Sequence, residues 1–363
     1  MEPSGADIPA PPAPSPPPNP PAPAYQDRST GLLVFGIIEI AGGALAALAI
    51  PLVLLSAVLM RRAGDTAMPL RGLAVTLLSY ALFAVVLVTL GIGATQAKRW
   101  AWALNLIVSW IWLIGGILVT ILLVALLPSG VMAGMRAAAA QHPEAPPASA
   151  GFMAVMVTFM IVVAAVFLIV LPLIFLLFYR SKNVEQTCRH RDPVERWTDR
   201  CPLPVLAMAL LAASGAAYYF LVGFTTPLFP FFGRYLTGLP GTAAFLVFAA
   251  VDAYVAYSLF RIRVAGWWVA LTSVTFRFLS LVFTIGRGNL MEAYSRIGWS
   301  HQQLQAMSAN PMFQGNVVLW WGMTFLVLYL GFLIWLKRYF RAPASPGYTG
   351  SSDSLPNQMQ PGS

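Results

Sequence analysis

Residues 151–178 read GFMAVMVTFMIVVAAVFLIVLPLIFLLF and contain no ionisable side chain. A helix needs about 20 apolar residues to cross the roughly 30 Å hydrocarbon core of a bilayer, so this stretch is long enough to span one. Its apolar residues are continuous rather than alternating, which argues against a strand of a membrane β-barrel. The stretch therefore predicts a transmembrane α-helix.

Seven further stretches of the chain have the same character. They are residues 31–60, 70–94, 101–127, 203–223, 241–260, 264–285 and 317–336. The whole chain is 58% hydrophobic and 10% charged, against about 25% charged in an ordinary soluble domain. The sequence therefore predicts an all-α polytopic transmembrane helix bundle of about eight spans, each long enough for a bilayer. We expect this transmembrane domain to cover residues 31–340.

The two ends of the chain differ from this apolar part. Eleven prolines lie between Pro3 and Pro23, mixed with Ala and Ser, and this composition favours solvated polyproline II over a packed core. Residues 1–30 are predicted to form a disordered cytoplasmic arm, and residues 341–363 a disordered tail. The arm can recruit an SH3-like or WW-like cytoplasmic partner, or it can be a solvated tail without a partner.

The distribution of basic residues predicts the orientation. With the N-terminus in the cytoplasm, the predicted cytoplasmic segments carry 14 Lys and Arg residues and the opposite segments carry 7. The positive-inside rule then places both termini in the cytoplasm, although Arg61 and Arg62 oppose it. The net charge of +9 is therefore a topology and lipid-headgroup signal, because its residues flank the apolar spans. No nucleic-acid partner is expected.

Two pairs of similar segments indicate a tandem four-plus-four repeat. The third predicted span opens with RWAWAL (residues 99–104) and the seventh with GWWVAL (residues 266–271). The fourth predicted span ends with FYR (residues 178–180), and the eighth predicted span ends with YFR (residues 339–341). Internal repeats are common in membrane transporters. The alternative is that any membrane hairpin acquires interfacial Trp and terminal Arg.

Ionisable residues inside predicted spans are the clearest functional signals. Asp252 and Arg277 lie on consecutive spans joined by a very short turn, so the two helices must be antiparallel neighbours and the two side chains can form an ion pair. Ser273 lies four residues before Arg277, and Ser280 and Thr284 lie three and seven residues after it, so the three hydroxyls draw a polar stripe on the face of Arg277. The pair is either part of a solute-binding or proton-coupling site or a structural salt bridge between helices.

Glu39 is the ionisable residue of the first predicted span. Gly36 and Gly43 lie three residues before and four residues after it, on a small-residue face that favours close helix packing. The carboxyl group can act as a protonated acid in an ion-coupled carrier, or it can hydrogen-bond a neighbouring helix as a neutral acid. The sequence identifies no partner for it.

The central loop contains three residue types that bind zinc. Cys188, His190 and Cys201 are weak candidate ligands, with Asp192 or Asp199 as a fourth, because the loop lacks the paired Cys-x2-4-Cys spacing of structural zinc sites. No metal is therefore predicted. A disulfide needs an oxidising compartment, whereas the charge distribution places this loop in the cytoplasm. Reduced thiols in a salt-bridged cap on the helix ends are expected.

Within the same loop, residues 191–204 read RDPVERWTDRCPLP between two apolar spans. This string resembles a signature of an uncharacterised family of bacterial multi-span inner-membrane proteins. The resemblance covers the central loop alone. It implies a multi-pass protein of the bacterial inner (plasma) membrane and carries no substrate or activity.

The segment between the last two spans predicts one further element. Ser300 and Gln303 have the spacing of a capping box, which indicates a short helix over residues 301–308. Such a helix can lie at the membrane interface or cover an outward vestibule.

The sequence favours transport or sensing over enzymatic catalysis. It has no His-Glu-x-x-His, no Gly-x-Ser-x-Gly and no phosphate-binding glycine loop, and none of its three histidines lies in a predicted span. No cofactor is expected. The leading hypothesis is a non-enzymatic membrane protein that moves or senses a small solute, with a polar core of Glu39, Asp252 and Arg277 together with Ser273 and Ser280. A structural or assembly scaffold is the alternative, and an intramembrane enzyme is third.

Overall fold

The computed structural model describes residues 25–62, 70–141, 150–287, 290–299, 304–305, 308 and 315–340. In chain order its elements are α1 (Ser29–Arg62), α2 (Leu70–Thr95), α3 (Arg99–Gln141), α4 (Ala150–Ala165), a π-helical turn (Val166–Val170), α5 (Leu171–Tyr179), α6 (Lys182–Arg191), a 3-10 turn (Trp197–Arg200), α7 (Leu203–Thr225), β1 (Leu228–Phe231), β2 (Arg234–Thr237), α8 (Leu239–Phe260), α9 (Val264–Arg287), α10 (Leu290–Arg296), α11 (Gly315–Leu336) and a final 3-10 turn (Lys337–Phe340).

Eight helical stretches of the described chain are long and apolar enough to cross a membrane. Large apolar side chains cover their outer surfaces, among them Leu45 at 69% exposure and Val155 at 68%. A surface of this kind is stable in lipid and not in water. The predicted all-α polytopic bundle is therefore confirmed, and the protein is an integral, multi-pass membrane protein. We call the end of the bundle at Ser29 and Phe340 the near face, and the opposite end the far face.

Glycines bring α1 and α2 into backbone contact. A Cβ atom on Gly36 would lie 2.7 Å from the carbonyl oxygen of Gly91, and a Cβ atom on Gly91 would lie 2.6 Å from the carbonyl oxygen of Gly36. Close packing through small residues is the usual way in which helices associate in lipid, where the apolar solvent removes the hydrophobic driving force. The small-residue face around Glu39 is therefore buried against α2.

The π-helical turn between α4 and α5 is a consequence of Pro172. Proline has no N–H group, so Pro172 cannot donate to the carbonyl of Leu168, four residues earlier. The preceding amide, that of Leu171, donates to the carbonyl of Val166, five residues earlier, which is the π-helical pattern. The freed Leu168 carbonyl lies against the backbone of Gly116 on α3, where a Cβ atom would overlap it. Gly116 is therefore needed because the π turn brings another backbone into contact.

The two halves of the chain use the same turn between their second and third spans. Residues 96–98 join α2 to α3, and residues 261–263 join α8 to α9. Each turn has a 6→1 and a 5→2 backbone hydrogen bond and a central non-glycine residue with positive φ, Ala97 at 50° and Ile262 at 54°. Both turns are therefore Schellman motifs with a left-handed residue that is unusual for Ala and Ile.

A buried tryptophan follows each of these turns at the same distance. Trp102 donates its indole N–H to the carbonyl of Tyr179 at 2.9 Å, and Trp267 donates to the carbonyl of Leu333 at 2.7 Å. Each bond joins the third span of its half to the fourth. The shared turn and the shared bond are consistent with the predicted four-plus-four repeat, but they pair Trp102 with Trp267, whereas the match of RWAWAL with GWWVAL pairs Trp100 with Trp267, so the predicted register is shifted by two residues.

The structure adds elements that the sequence patterns did not predict. The α3 helix continues past Leu127 and Pro128 to Gln141, a short helix α6 begins the central loop, and a two-stranded antiparallel hairpin joins α7 to α8. The halves meet where Ile107 of α3 packs against Cys201 and Leu206. The predicted disordered arm up to residue 24 and tail at residues 341–363 lie outside the described residues, as does most of the predicted helix at residues 301–308.

The contact at the π turn predicts a difference between two adjacent glycines. Gly116→Ala places a methyl group against the Leu168 carbonyl, and we expect it to destabilise the protein by about 1–3 kcal/mol, the usual cost of overpacking. Gly115→Ala is the matched control, because nothing lies within 4 Å of its added Cβ atom. Thermal unfolding in detergent would measure both variants, and equal midpoints would contradict this account of the π turn.

Candidate functional site

The predicted ion pair between Asp252 and Arg277 is present and buried. Arg277 Nη1 donates to Asp252 Oδ2 at 2.9 Å and Nη2 donates to Oδ1 at 3.0 Å. The side chains are 10% and 16% exposed, respectively. On ideal helix rise Arg277 lies about 20 Å along α9 from its first residue, which is well inside the membrane layer. This parallel, two-bond geometry is the strongest form of Arg–carboxylate recognition.

Aromatic rings enclose the guanidinium group of Arg277. Its Cζ atom lies 5.0 Å from the centre of the Tyr219 ring and 5.4 Å from the centre of the Phe248 ring. Both distances allow cation–π attraction, which is strongest where water is excluded. Behind the carboxylate, α7 passes so closely that a Cβ atom on Gly215 would lie 2.9 Å from Asp252 Oδ2. The pair is thus held by three helices, α7, α8 and α9.

The β-hairpin folds back over the far-face side of this pair. Its two-residue turn consists of Phe232 and Gly233, both with positive φ (39° and 92°), as in a type I′ turn. The Phe232 ring centre lies 5.2 Å from that of Phe276, the residue before Arg277. On β1, the Phe229 ring stacks on Phe248 at 5.2 Å. The hairpin therefore covers the aromatic surroundings of Arg277.

Two residues of the predicted polar stripe hold the hairpin in place. Ser280 Oγ accepts the N–H of Phe232 at 3.1 Å and donates to the carbonyl of Pro230 at 2.8 Å. Thr284 Oγ1 accepts the N–H of Gly233 at 3.1 Å. Ser273, the third member, is buried and its hydroxyl has no hydrogen-bond partner among the described residues. The stripe therefore does face protein, but Ser280 and Thr284 bind backbone.

Glu39 occupies a second polar cluster in the first half of the chain. The Tyr179 hydroxyl donates to Glu39 Oε1 at 3.0 Å, and Asn105 Nδ2 donates to Glu39 Oε2 at 3.2 Å. Asn105 Nδ2 also lies 3.1 Å from the Tyr179 oxygen. Because Asp252 and Arg277 lie in the second half and share no partner with Glu39, the structure forms two separate polar clusters instead of one core.

The central loop forms a salt-bridged cap on the near face. Asp192 accepts the N–H of Arg99 at the start of α3 at 3.4 Å and pairs with Arg196 through contacts of 3.1 and 2.8 Å. These bonds to Arg196 are the main reason that the pKa of Asp192 lies below its usual value. Asp199 pairs with Arg99 at 3.3 Å. The expected salt-bridged cap is therefore present.

The weak zinc candidates of this loop are dispersed. Cys188 and Cys201 are buried free thiols, and His190 is exposed, with its ring 5.9 Å from that of Tyr25. Within the described ranges no three His, Cys, Asp or Glu side chains form a group that could hold a metal ion. Cys188 packs with Tyr179 and Val184, and Cys201 with Ile107 and Leu206.

Sequence reasoning missed several residues that build these clusters. Asn105 and Tyr179 lie in apolar spans without any local pattern that marks them, and their role is visible only from their hydrogen bonds to Glu39. The hairpin had a local signal, since the Phe-Gly turn at residues 232–233 lies between two short apolar runs. Comparison of the chain with protein-family models, curated proteins and solved structures finds no significant match.

The geometry of the ion pair predicts non-additive mutational effects. Arg277→Leu or Asp252→Leu alone strands a buried charge, and we expect each to lower the free energy of unfolding by about 3–5 kcal/mol. The double variant removes both charges and should cost clearly less than either single variant. Thermal unfolding of the four proteins in detergent forms a double-mutant cycle. Additive losses would show that the two side chains do not stabilise each other.

Burial of the loop thiols predicts low reactivity. Burial raises the pKa of Cys188 to about 12 and that of Cys201 to about 11. Because the thiolate is the nucleophile, we expect iodoacetamide to modify neither residue in the folded protein at neutral pH and to modify both after denaturation. Mass spectrometry of the two peptides measures this. Rapid modification of the folded protein would contradict the packing of the loop.

Proposed function

We propose that this integral membrane protein moves or senses a small solute at the seam between α8 and α9. We also propose that it resides in a bacterial inner membrane, with both termini in the cytoplasm. The near face, which carries the basic central loop, would then be cytoplasmic, in agreement with the positive-inside rule. The far face, with the hairpin, would be the side from which the solute enters.

The hairpin is the observation that carries this proposal. A loop between α7 and α8 needs only a few residues, yet residues 226–238 fold back along α9 as far as Ser280 and cover the Arg277 cluster. Phe232 adopts a positive φ of 39°, which costs energy for a bulky residue. Its turn is held on α9 by two hydroxyl groups, Ser280 and Thr284. Further contacts of the hairpin with α8 and α9 are between aromatic rings; a segment with a strained turn and few hydrogen bonds to its neighbours is suited to opening.

Opening of the hairpin would expose a compartment with defined chemistry. Arg277 supplies a fixed positive charge, Ser273 a hydroxyl without a partner, and Tyr219 and Phe248 supply aromatic walls. A solute with a carboxylate or another anionic group would compete with Asp252 for Arg277. The solute class that fits is therefore a small organic anion or zwitterion.

A scaffold role is the second candidate, and the completeness of the ion pair favours it. Both oxygens of Asp252 accept hydrogen bonds from Arg277. An ion pair that is complete in itself needs no ligand, and its whole role can be to join α8 to α9. In that case the hairpin is a fixed lid, and exchanging the two charges should leave every property of the protein intact.

Accessibility of Ser273 distinguishes a mobile hairpin from a fixed one. We expect Ser273→Cys, in a Cys188→Ala and Cys201→Ala background, to react slowly with a membrane-impermeant maleimide in proteoliposomes. Adding Ser280→Ala and Thr284→Val removes the hydroxyl groups that hold the turn, and labelling should accelerate by about tenfold, the effect of roughly 1.4 kcal/mol on an opening equilibrium.

Ser258→Cys is the control for this measurement. Ser258 is also buried with an unpartnered hydroxyl, but it lies at the near-face end of α8, so the hairpin changes should leave its labelling unchanged. Equal labelling of Ser273→Cys with and without these changes, in folded protein, would refute a mobile hairpin.

The charge exchange then separates transport or sensing from scaffolding. A panel of small carboxylates and amino acids should raise the unfolding temperature of the wild-type protein. The exchanged variant, Asp252→Arg with Arg277→Asp, should fold but lose this response, because its cation now lies on α8. A panel that stabilises neither protein, with the exchanged variant as stable as the wild type, would favour the scaffold.

A further inference from the structure

The carboxyl group of Glu39 is enclosed by neutral groups. Glu39 is 4% exposed, and its two hydrogen-bond partners, Tyr179 and Asn105, are 0% and 3% exposed. No salt bridge reaches Glu39 within the described part of the chain, whereas Asp252 at similar burial has Arg277. The two membrane-embedded carboxyl groups of the described spans therefore have opposite surroundings.

The partners of Glu39 are fixed by their own packing. The carbonyl of Tyr179 accepts the indole N–H of Trp102, and its ring lies 5.2 Å from that of Phe178 and 6.2 Å from that of Phe35. The carbonyl of Asn105 accepts the hydroxyl of Ser109 at 2.7 Å. The Tyr179 ring is therefore held in place by its neighbours, and Asn105 is buried against the same cluster, so both donors stand ready beside the Glu39 carboxyl group.

The charged groups around this cluster are distant or already engaged. On α1 and α2 the described span residues 29–59 and 72–95 contain no ionisable group besides Glu39 and Tyr80. On α3, Arg99 lies six residues before Asn105 and is paired with Asp199. Arg180, next to Tyr179, is exposed, and Cys188 of α6 packs behind Tyr179 as a free thiol. None of them neutralises a Glu39 carboxylate.

An ionised carboxylate in hydrocarbon costs several kcal/mol, and two neutral donors offset only part of that cost. We infer that Glu39 is a proton-binding site: it holds one proton in the resting protein and releases it as a carboxylate stabilised by Tyr179 and Asn105. The inference concerns the first half of the chain and does not depend on the hairpin or on the solute proposed for α8 and α9.

Both protonation states fit the same three side chains. In the carboxylate state the Tyr179 hydroxyl and the Asn105 amide both donate to Glu39, as the structure has them. In the acid state the Glu39 Oε1–H group donates to the Tyr179 oxygen and Asn105 still donates to Oε2; the Tyr179 hydroxyl hydrogen then loses its acceptor, a cost that is set against the removal of a buried charge. The change reverses one hydrogen bond and moves no helix. Tyr179 ends α5 at the near face, so proton exchange would occur with that side of the membrane.

A hydrophobic carbodiimide tests the inference, because it modifies protonated carboxyl groups in apolar surroundings. We expect dicyclohexylcarbodiimide to label Glu39 of the full-length protein in proteoliposomes at neutral pH, with labelling that declines as the pH is raised. Asp252 should stay unlabelled as the internal control, since both of its oxygens are engaged by the Arg277 guanidinium. Peptide mass spectrometry identifies the labelled residue. Recovery of an unmodified Glu39 peptide at neutral pH would overturn the inference.

Variants of the two donors provide a readout that a purely structural role would not change. Tyr179→Phe and Asn105→Leu each remove a hydrogen bond to the carboxylate. The pH at which labelling of Glu39 declines should therefore rise by about one unit, because a hydrogen bond to a charged group contributes at least the free energy that corresponds to one pH unit. An unchanged labelling profile in folded variants would contradict the proposed cluster. If sodium or potassium suppressed the labelling at fixed pH, the result would contradict the inference and show that Glu39 binds a metal cation and not a proton.

Glu39→Gln supplies an independent measurement, because the amide imitates the protonated acid and cannot lose a proton. The wild-type protein should lose thermal stability relative to this variant as the pH rises, since deprotonation buries a charge in the folded state only. A constant difference in unfolding temperature across the pH range would show that Glu39 does not change its protonation state.

Discussion

Polar groups that these helices carry into the membrane layer can find hydrogen-bond partners only within the protein, because hydrocarbon offers none; most of them do, and the buried hydroxyls of Ser273 and Ser258 are exceptions among the described residues. This constraint explains features that look unrelated. It pairs Asp252 with Arg277, brings Tyr179 and Asn105 to Glu39, and gives the hydroxyls of Ser280 and Thr284 to a hairpin backbone. Even the carbonyl freed by Pro172 lies against Gly116, where only the absence of a side chain leaves room.

The sequence predicted the parts of this structure that follow from local composition. Span length and hydropathy gave eight helices with ends close to those observed. The Asp252–Arg277 pair was also predictable, because a three-residue turn forces α8 and α9 to be antiparallel neighbours and the difference in depth given by helix rise is short enough for an Arg side chain to span. In each case the relevant distance along the chain is short, so geometry leaves few alternatives.

The remaining parts depend on contacts between segments far apart in sequence. Glu39 and Tyr179 are separated by 140 residues, and Phe232 and Ser280 by 48. No local pattern distinguishes Tyr179 from the other aromatic residues at span ends. Ser280 was correctly assigned to a buried stripe, but its partner proved to be a backbone amide, because the hairpin that supplies that amide was not foreseen. The packing of separate elements decides which buried polar residues meet.

The two halves of the chain show how one framework can hold different chemistry. In each half the tryptophan with the indole bond, Trp102 or Trp267, lies five residues after the left-handed residue of the turn, Ala97 or Ile262. The buried acids do not coincide: Glu39 lies on the first helix of its half, whereas Asp252 lies on the second. In the Asp252–Arg277 cluster the cation balances the carboxylate. In the Glu39 cluster no cation balances the carboxyl group, so loss of a proton changes the net charge of the cluster. This difference is the physical basis for proposing an anion at the half with the ion pair and a proton at the half without one.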